Sequence, residues 1–219
     1  MKKLSKRLES LISVIQECNT IADIGTDHAW LPIELIRRGI ASKVYAIDNK
    51  TGPLNKARDN IETAGVSEKI RCILSDGLSA FQEEVDAVII AGVGVQTIIS
   101  ILENAHNLKD YKRLVLQPNY GMPLLRKWLS DHDWGIIKEK ILFERGTYYE
   151  IIVAVQKTQS LDEDEIEFGP ILMHEKSKVF CDKYNDEIRA IQDLIPSISD
   201  YNKREELNKK VDKIKKVLQ

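Results

Sequence analysis

The segment 21–32, Ile21-Ala22-Asp23-Ile24-Gly25-Thr26-Asp27-His28-Ala29-Trp30-Leu31-Pro32, decides the fold. An apolar run ends at Asp23-Ile24-Gly25, and a helical pattern opens a few residues later. Gly25 marks the crossing, where a tight turn needs a residue without a Cβ and a ligand can come close to the backbone. Outward from it, strand-like runs at Thr20–Ile24, Lys43–Ile47, Lys69–Leu74, Asp86–Ala91 and Arg113–Gln117 alternate with helical patterns at 28–38, 53–64, 95–105 and 122–131. That alternation is the signature of βαβ units and a parallel sheet. The apolar runs around Val88 and Val115 suit central strands covered on both faces. The period then changes. Gly135–Phe143 and Tyr148–Gln156 are joined by Glu144-Arg145-Gly146-Thr147, a short turn containing glycine, and predict an antiparallel hairpin. The expected fold class is therefore α/β, a Rossmann-like sheet of the class I methyltransferase variety, with parallel strands and a terminal hairpin.

At Lys157 the composition breaks. The acidic stretch 158–170 reads as a linker, followed by charged helical patterns at 171–195 and 199–218. Leu207, Val211, Ile214 and Leu218 make an apolar stripe on the last helix. Two units are expected, 1–157 for the sheet domain and 158–219 for a helical hairpin. The hairpin is either a coiled-coil arm or a helix pair packed on the domain.

Composition narrows the class. The chain has 219 residues, 43% hydrophobic and 30% charged, with a formal net charge of -2. No run approaches the about 20 apolar residues that cross a bilayer, and Ser10, Ser13, Gln16 and Glu17 interrupt the first helical pattern where a signal peptide needs a continuous apolar core. A cytoplasmic protein without a membrane partner is expected. Cys18, Cys72 and Cys181 stand far apart and form no metal-ligand spacing with the histidines, so no metal is expected.

In a doubly wound sheet, ligands bind at the carboxyl edge of the strands, where the strand order reverses. No GxGxxG follows the first strand, so a pyrophosphate is poorly served there. One glycine among several acids suits S-adenosyl-L-methionine, which carries no phosphate. Asp23 and Asp27 can hold its amino group and sulfonium side. Asp48 ends the second strand, where a carboxylate can accept from ribose hydroxyls, and Asp76 follows the third, where it can accept from an adenine amine. Singly, each acid reads as a solvated loop residue or a helix cap; three of them at three successive strand ends favour the joint reading. Pro118 restricts Gln117 to an extended conformation and leaves Asn119 at the open edge. Asn119 is either an amide for an adenine edge or part of a turn capping the next helix. His28 is a base or simply a residue at the helix start. Trp30, Trp128 and Trp134 read as core. Lys2, Lys3, Lys6, Arg7, Arg37, Arg38, Arg126 and Arg145 can border one RNA-facing surface, and Lys203, Arg204, Lys209, Lys210, Lys213, Lys215 and Lys216 give the last helix a basic face.

Taken in order, Asp23–Pro32, Gly52-Pro53-Leu54, Ser75–Leu78, Ile89–Gly94, Leu116–Asn119 and Tyr148–Ala154 resemble the bacterial TrmK family, from about residue 4 to 157. The tail also resembles that family's C-terminal coiled-coil extension. The resemblance implies a tRNA (adenine-N1)-methyltransferase acting on adenosine 22 of the D-arm, with S-adenosyl-L-methionine as cofactor and tRNA as partner. A monomer is expected. Asp23, Gly25, Asp48, Asp76 and Gly77 match cofactor-site positions, with Asn49 and Ala91 beside them; Asp27, His28 and Asn119 match positions lining the methyl-transfer site. The family's glycine is replaced by Val95, whose β-branched side chain is expected to stiffen the loop beside the methyl and narrow the adenine's approach. Asp48 stands where a glutamate is common. The same fold acting on a small molecule or a protein, and a non-catalytic RNA- or partner-binding relative, are the competing readings.

Overall fold

The structure, a computed structural model, describes residues 4–106 and 108–219. Helix α1 (Lys6–Val14) is capped by Ser5, whose hydroxyl accepts from the Leu8 N–H. There follow β1 (Cys18–Ile24), α2 (Trp30–Arg37), β2 (Ala41–Asp48), α3 (Thr51–Ala64), β3 (Ile70–Leu74), β4 (Ala87–Val93), α4 (Val95–Glu103), β5 (Arg113–Pro118), α5 (Met122–Asp131), β6 (Trp134–Glu144) and β7 (Thr147–Gln156). The chain ends in α6 (Glu163–Phe168), α7 (Leu172–Glu175), α8 (Lys178–Leu194) and α9 (Tyr201–Leu218). The sheet order is β3-β2-β1-β4-β5-β7-β6. Strands β1 to β5 run parallel, and β7 lies antiparallel to both β5 and β6. The order reverses between β1 and β4, which places the ligand crevice there.

Successive side chains on each central strand go to opposite faces. Ile89 joins α1, α2 and α3 in one apolar layer, and Ile90 joins α4 and α5 in the other. This is why the strands read as continuous apolar runs. The hairpin turn is tight because Arg145 and Gly146 both take positive φ, 52° and 81°, as a two-residue type I′ turn requires. Helix α2 begins at Trp30, not at His28, because Asp27 and Ala29 hold left-handed φ of 52° and 56°.

The expected linker is not one. Asp162 and Glu165 form a capping box that starts α6, and Phe168 is buried. Phe168, Leu172, Phe180 and Tyr184 close with Ile141 of β6 and with Val211 and Ile214 of α9 into a third apolar cluster. The helical hairpin thus packs on the outer strand through its apolar seam. A buried ion cluster fastens the same junction. Arg126 of α5 meets Glu139 at 2.8 Å and also pairs with Glu150, which in turn takes Lys183 of α8. Glu139 accepts from the N–H groups of Ile171 and Leu172, and Arg126 donates to the carbonyls of Ile166 and Glu167. Burial pushes the Glu150 carboxyl up, but the cations of Arg126 and Lys183 outweigh it and hold it below the usual range. Arg126, expected on an RNA-facing surface, is fully buried, because two carboxylates and two carbonyls are available to it there. Among the three tryptophans, Trp128 and Trp134 are core, while Trp30 is partly exposed.

Candidate active site

The parallel strands deliver their ends to one edge, where two adjoining hollows meet at Gly25. The larger, about 390 Å³, is lined by Gly25, Asp48, Asn49, Asp76 and Gly77, together with Ser75, Gln96, Thr97 and Ser100. The smaller, about 90 Å³, is lined by Asp23, Gly25, Asp27, His28 and Ala91, with Arg7, Thr26 and Trp30. Gly25 belongs to both. The expected cofactor residues therefore divide: Asp23 and Ala91 side with Asp27 and His28, away from the other acids.

Asp48 is buried, and both its oxygens face backbone donors: the Asp27 N–H at 3.2 Å and the Lys50 N–H at 3.0 Å. Each oxygen keeps a further lone pair for a ligand hydroxyl. Asn49 donates to Asp76 at 3.3 Å, joining the ends of β2 and β3. Gly77 holds φ of 59°, and a Cβ there would come within 2.9 Å of Ile101, so the glycine lets the β3 loop lie close to α4.

Asp23 is buried, and burial pushes its carboxyl up to about 6. The Thr26 hydroxyl and the Arg7 cation offset part of that rise, although Thr26 Oγ1 makes no hydrogen bond of good geometry and remains a buried unpartnered atom among the described residues. His28 Nε2 lies 3.7 Å from Asp27 and its buried Nδ1 has no partner among the described residues. Thr26, His28 and the raised carboxyl of Asp23 make the lining of the smaller hollow polar, with donors and acceptors on it.

Asn119 lines neither hollow. Its Nδ2 donates to the Gly92 carbonyl at 2.7 Å, and its N–H donates to the Val93 carbonyl at 2.8 Å. The amide thus holds the β4 and β5 loops together, and its donor half is spent. Tyr120 beside it is exposed, with its ring resting on Gly94. Val95, expected to narrow the adenine's approach, is buried and packs against Gly121, with Cγ1 2.5 Å from where a Cβ on that glycine would lie, and its side chain lines neither hollow.

Arg7 enters from α1. Its Nη1 donates to Gln117 at 2.8 Å, and Gln117 is fully buried at the end of β5. A glutamine closing an apolar strand was the available signal for such a contact; Thr26, Ser75 and Gln96 carry none of their own in the sequence.

The basic residues are sorted by the topology. Helix α2 runs away from the ligand edge, so Arg37 and Arg38 lie at its far end, where Arg38 pairs with Glu9 and Glu34, and Arg37 with Glu34. Lys6, Arg7 and Arg145 remain at the ligand edge, and Lys2 and Lys3 lie outside the described residues. On the tail, Lys209, Lys210 and Lys213 pair with Glu205, Glu187 and Asp164.

Among the described residues no helix is long and apolar enough to cross a membrane. The family model described as "TrmK: tRNA (adenine(22)-N(1))-methyltransferase" matches residues 21–219. The tRNA (adenine(22)-N(1))-methyltransferase of Bacillus subtilis (strain 168) is 36% identical over 205 residues, covering 90% of this chain and 86% of that one. A Streptococcus agalactiae protein of the NADB-Rossmann superfamily superposes with a TM-score of 0.92 at 36% identity, over 100% of this chain and 98% of that chain. TrmK of M. capricolum, solved with the cofactor product S-adenosyl-homocysteine, superposes with a TM-score of 0.89 at 32% identity, over 100% of both chains. With a Rossmann-like sheet, strand-end acids at its switch point and a matching helical tail, the chain belongs to the TrmK family of tRNA (adenine(22)-N(1))-methyltransferases.

Proposed function

We propose that this chain is a cytoplasmic, monomeric enzyme that uses S-adenosyl-L-methionine to methylate N1 of adenosine 22 in the D-arm of tRNA. The observation that carries this reading is the pair of hollows sharing Gly25, one acidic and nucleoside-sized, the other small and polar. The donor set fits the cofactor: carboxylates for hydroxyls and amines, a glycine turn, and no phosphate cradle. Residues 1–157 are the catalytic unit in this reading, and 158–219 the extension that grips RNA.

When bound, S-adenosyl-L-methionine supplies a methyl group already made electrophilic by its sulfonium. The residues then have to bind, orient and dry the site. Asp48, with Asn49 beside it, would hold the cofactor's ribose hydroxyls, and Asp76, next to Gly77, would accept from its adenine amine. Asp23, with the Arg7 cation beside it, serves the methionyl end together with Ala91. Asn119 accepts from the target adenine's amine through its side-chain oxygen, since its Nδ2 is held by Gly92. Asp27, with His28 beside it, offsets the positive charge that develops on the alkylated base, without taking a proton. The target nucleotide has to leave the stack to present N1.

Incubation of unmodified tRNA with labelled cofactor, followed by nucleoside mass spectrometry and position mapping, tests the proposal. One methyl at N1 of adenosine 22, with mononucleotides left untouched and binding that falls steeply with salt, is the expected result. Transfer to a small molecule or a protein, with tRNA unmodified, overturns it.

A further inference from the structure

Strand β6 is antiparallel to β7, which is antiparallel to β5, so β6 ends at the same edge as the parallel strands. Its last residue Glu144 and the turn at Arg145 therefore stand beside the ligand crevice. Helix α1 begins against them, and between the two lies a groove of about 520 Å³. Leu4, Leu8 and Trp30 give it an apolar wall, and the exposed Lys6 and Arg145 give it two cations. Leu8 and Trp30 also line the hollow that holds Asp27 and His28, so groove and hollow adjoin across these two side chains.

The groove's one acid is already engaged. Glu144 accepts from the Lys6 N–H at 2.6 Å and from the Arg7 N–H at 3.2 Å, and these bonds hold its carboxyl below the usual range. Glu144 thus stays ionised with its oxygens turned to the start of α1, and Arg145 and Lys6 together outnumber it, leaving the groove with a net positive charge. An apolar wall beside two cations, next to a site for an extruded base, suits a single-stranded nucleotide: a base face on one side and a phosphodiester on the other.

We infer that this groove binds the nucleotide of the RNA strand next to the reacting adenosine, with Lys6 and Arg145 on its phosphate. The inference rests on tRNA being the substrate. It makes Lys6 and Arg145 positioning residues, set apart from the cofactor hollow.

The test uses the full chain with Lys6→Gln, Arg145→Asn and the double variant. Asparagine tolerates the left-handed φ of 52° at 145, so the turn keeps its shape. Arg37→Gln, at the opposite edge of the sheet, serves as a control of equal charge. Binding of a fluorescent D-arm stem-loop is followed against salt, with the KM for tRNA and calorimetry of S-adenosyl-L-methionine alongside. The double variant is expected to flatten the log–log salt slope by about one, the single phosphate that the two cations share, and each single variant by part of that; all three raise the tRNA KM several-fold, leaving cofactor affinity unchanged and Arg37→Gln like the parent. An unchanged slope and KM, or an equal effect from Arg37→Gln, overturns the groove while leaving tRNA as substrate. An unaltered chain that leaves tRNA unmethylated overturns the functional reading itself, and the groove with it.

Discussion

The backbone N–H of Asp27 donates to the Asp48 carboxylate across 3.2 Å, so the acid ending β2 anchors the loop leaving β1. That loop holds two non-glycine residues, Asp27 and Ala29, in the left-handed region. Such a conformation persists only where the surroundings hold it. Asp48 is thus both a candidate ligand for the cofactor and a clamp on the segment that presents Asp27 and His28.

Asp48→Ala should weaken S-adenosyl-L-methionine binding by about tenfold to a hundredfold, the size of a lost charge-assisted hydrogen bond of about 1.5–3 kcal/mol. Asn119→Ala should instead lower kcat on tRNA and leave cofactor affinity within about twofold, because it touches the loops rather than the cofactor hollow. Calorimetry and steady-state kinetics separate the two. Equal losses of both parameters in both variants would remove the division of roles.

Asp23 links stability to pH. Its carboxyl is raised from 3.8 to about 6, chiefly by burial. Between those values the folded chain keeps a proton that the unfolded chain has lost, so its contribution is full below about pH 4 and disappears as pH rises through about 6. Two pKa units correspond to on the order of 3 kcal/mol. Asp23→Asn, which cannot ionise, should lose less stability than the parent between pH 4 and 7 in urea melts. Parallel curves for the two proteins would refute the assignment.

Arg126→Met leaves Glu139 and Glu150 buried without their shared cation. It should cost about 3–5 kcal/mol, seen as a lower denaturation midpoint. Combining it with Glu139→Gln and Glu150→Gln should recover part of the loss, since the uncompensated charges go with it. A triple variant no better than the single one would point to packing instead of charge.

Gly121 holds φ of 80°, and a Cβ there would meet Val95 Cγ1 at 2.5 Å. Gly121→Ala should destabilise the chain by about 1–3 kcal/mol through strain and overpacking. In a Val95→Gly background the contact part of that penalty should vanish and the φ part remain. A double-mutant cycle measures the difference, and full additivity would show that the two residues do not press on each other.

Much of this protein was legible in the sequence because it rests on local periodicity and on residue types at strand ends. Parallel strands buried on both faces must read as apolar runs, and a change to a hairpin must show as a turn glycine between two β-rich runs. The acids Asp23, Asp48 and Asp76 stood out for the same reason, since strand ends in such a sheet converge on one edge. What pairs with what was settled only by the tertiary structure. Arg126 looks like any helical cation until β6 and β7 bring Glu139 and Glu150 to it. Val95 looks like a loop residue until Gly121 is seen to receive it, and the acidic stretch before α7 looks like a linker until Phe168 finds the face of β6. Lys6 and Arg145, 139 positions apart, meet at one groove only because β6 runs back to the ligand edge. Burial and charge pairing depend on contacts distant in the chain, and periodicity carries no record of those.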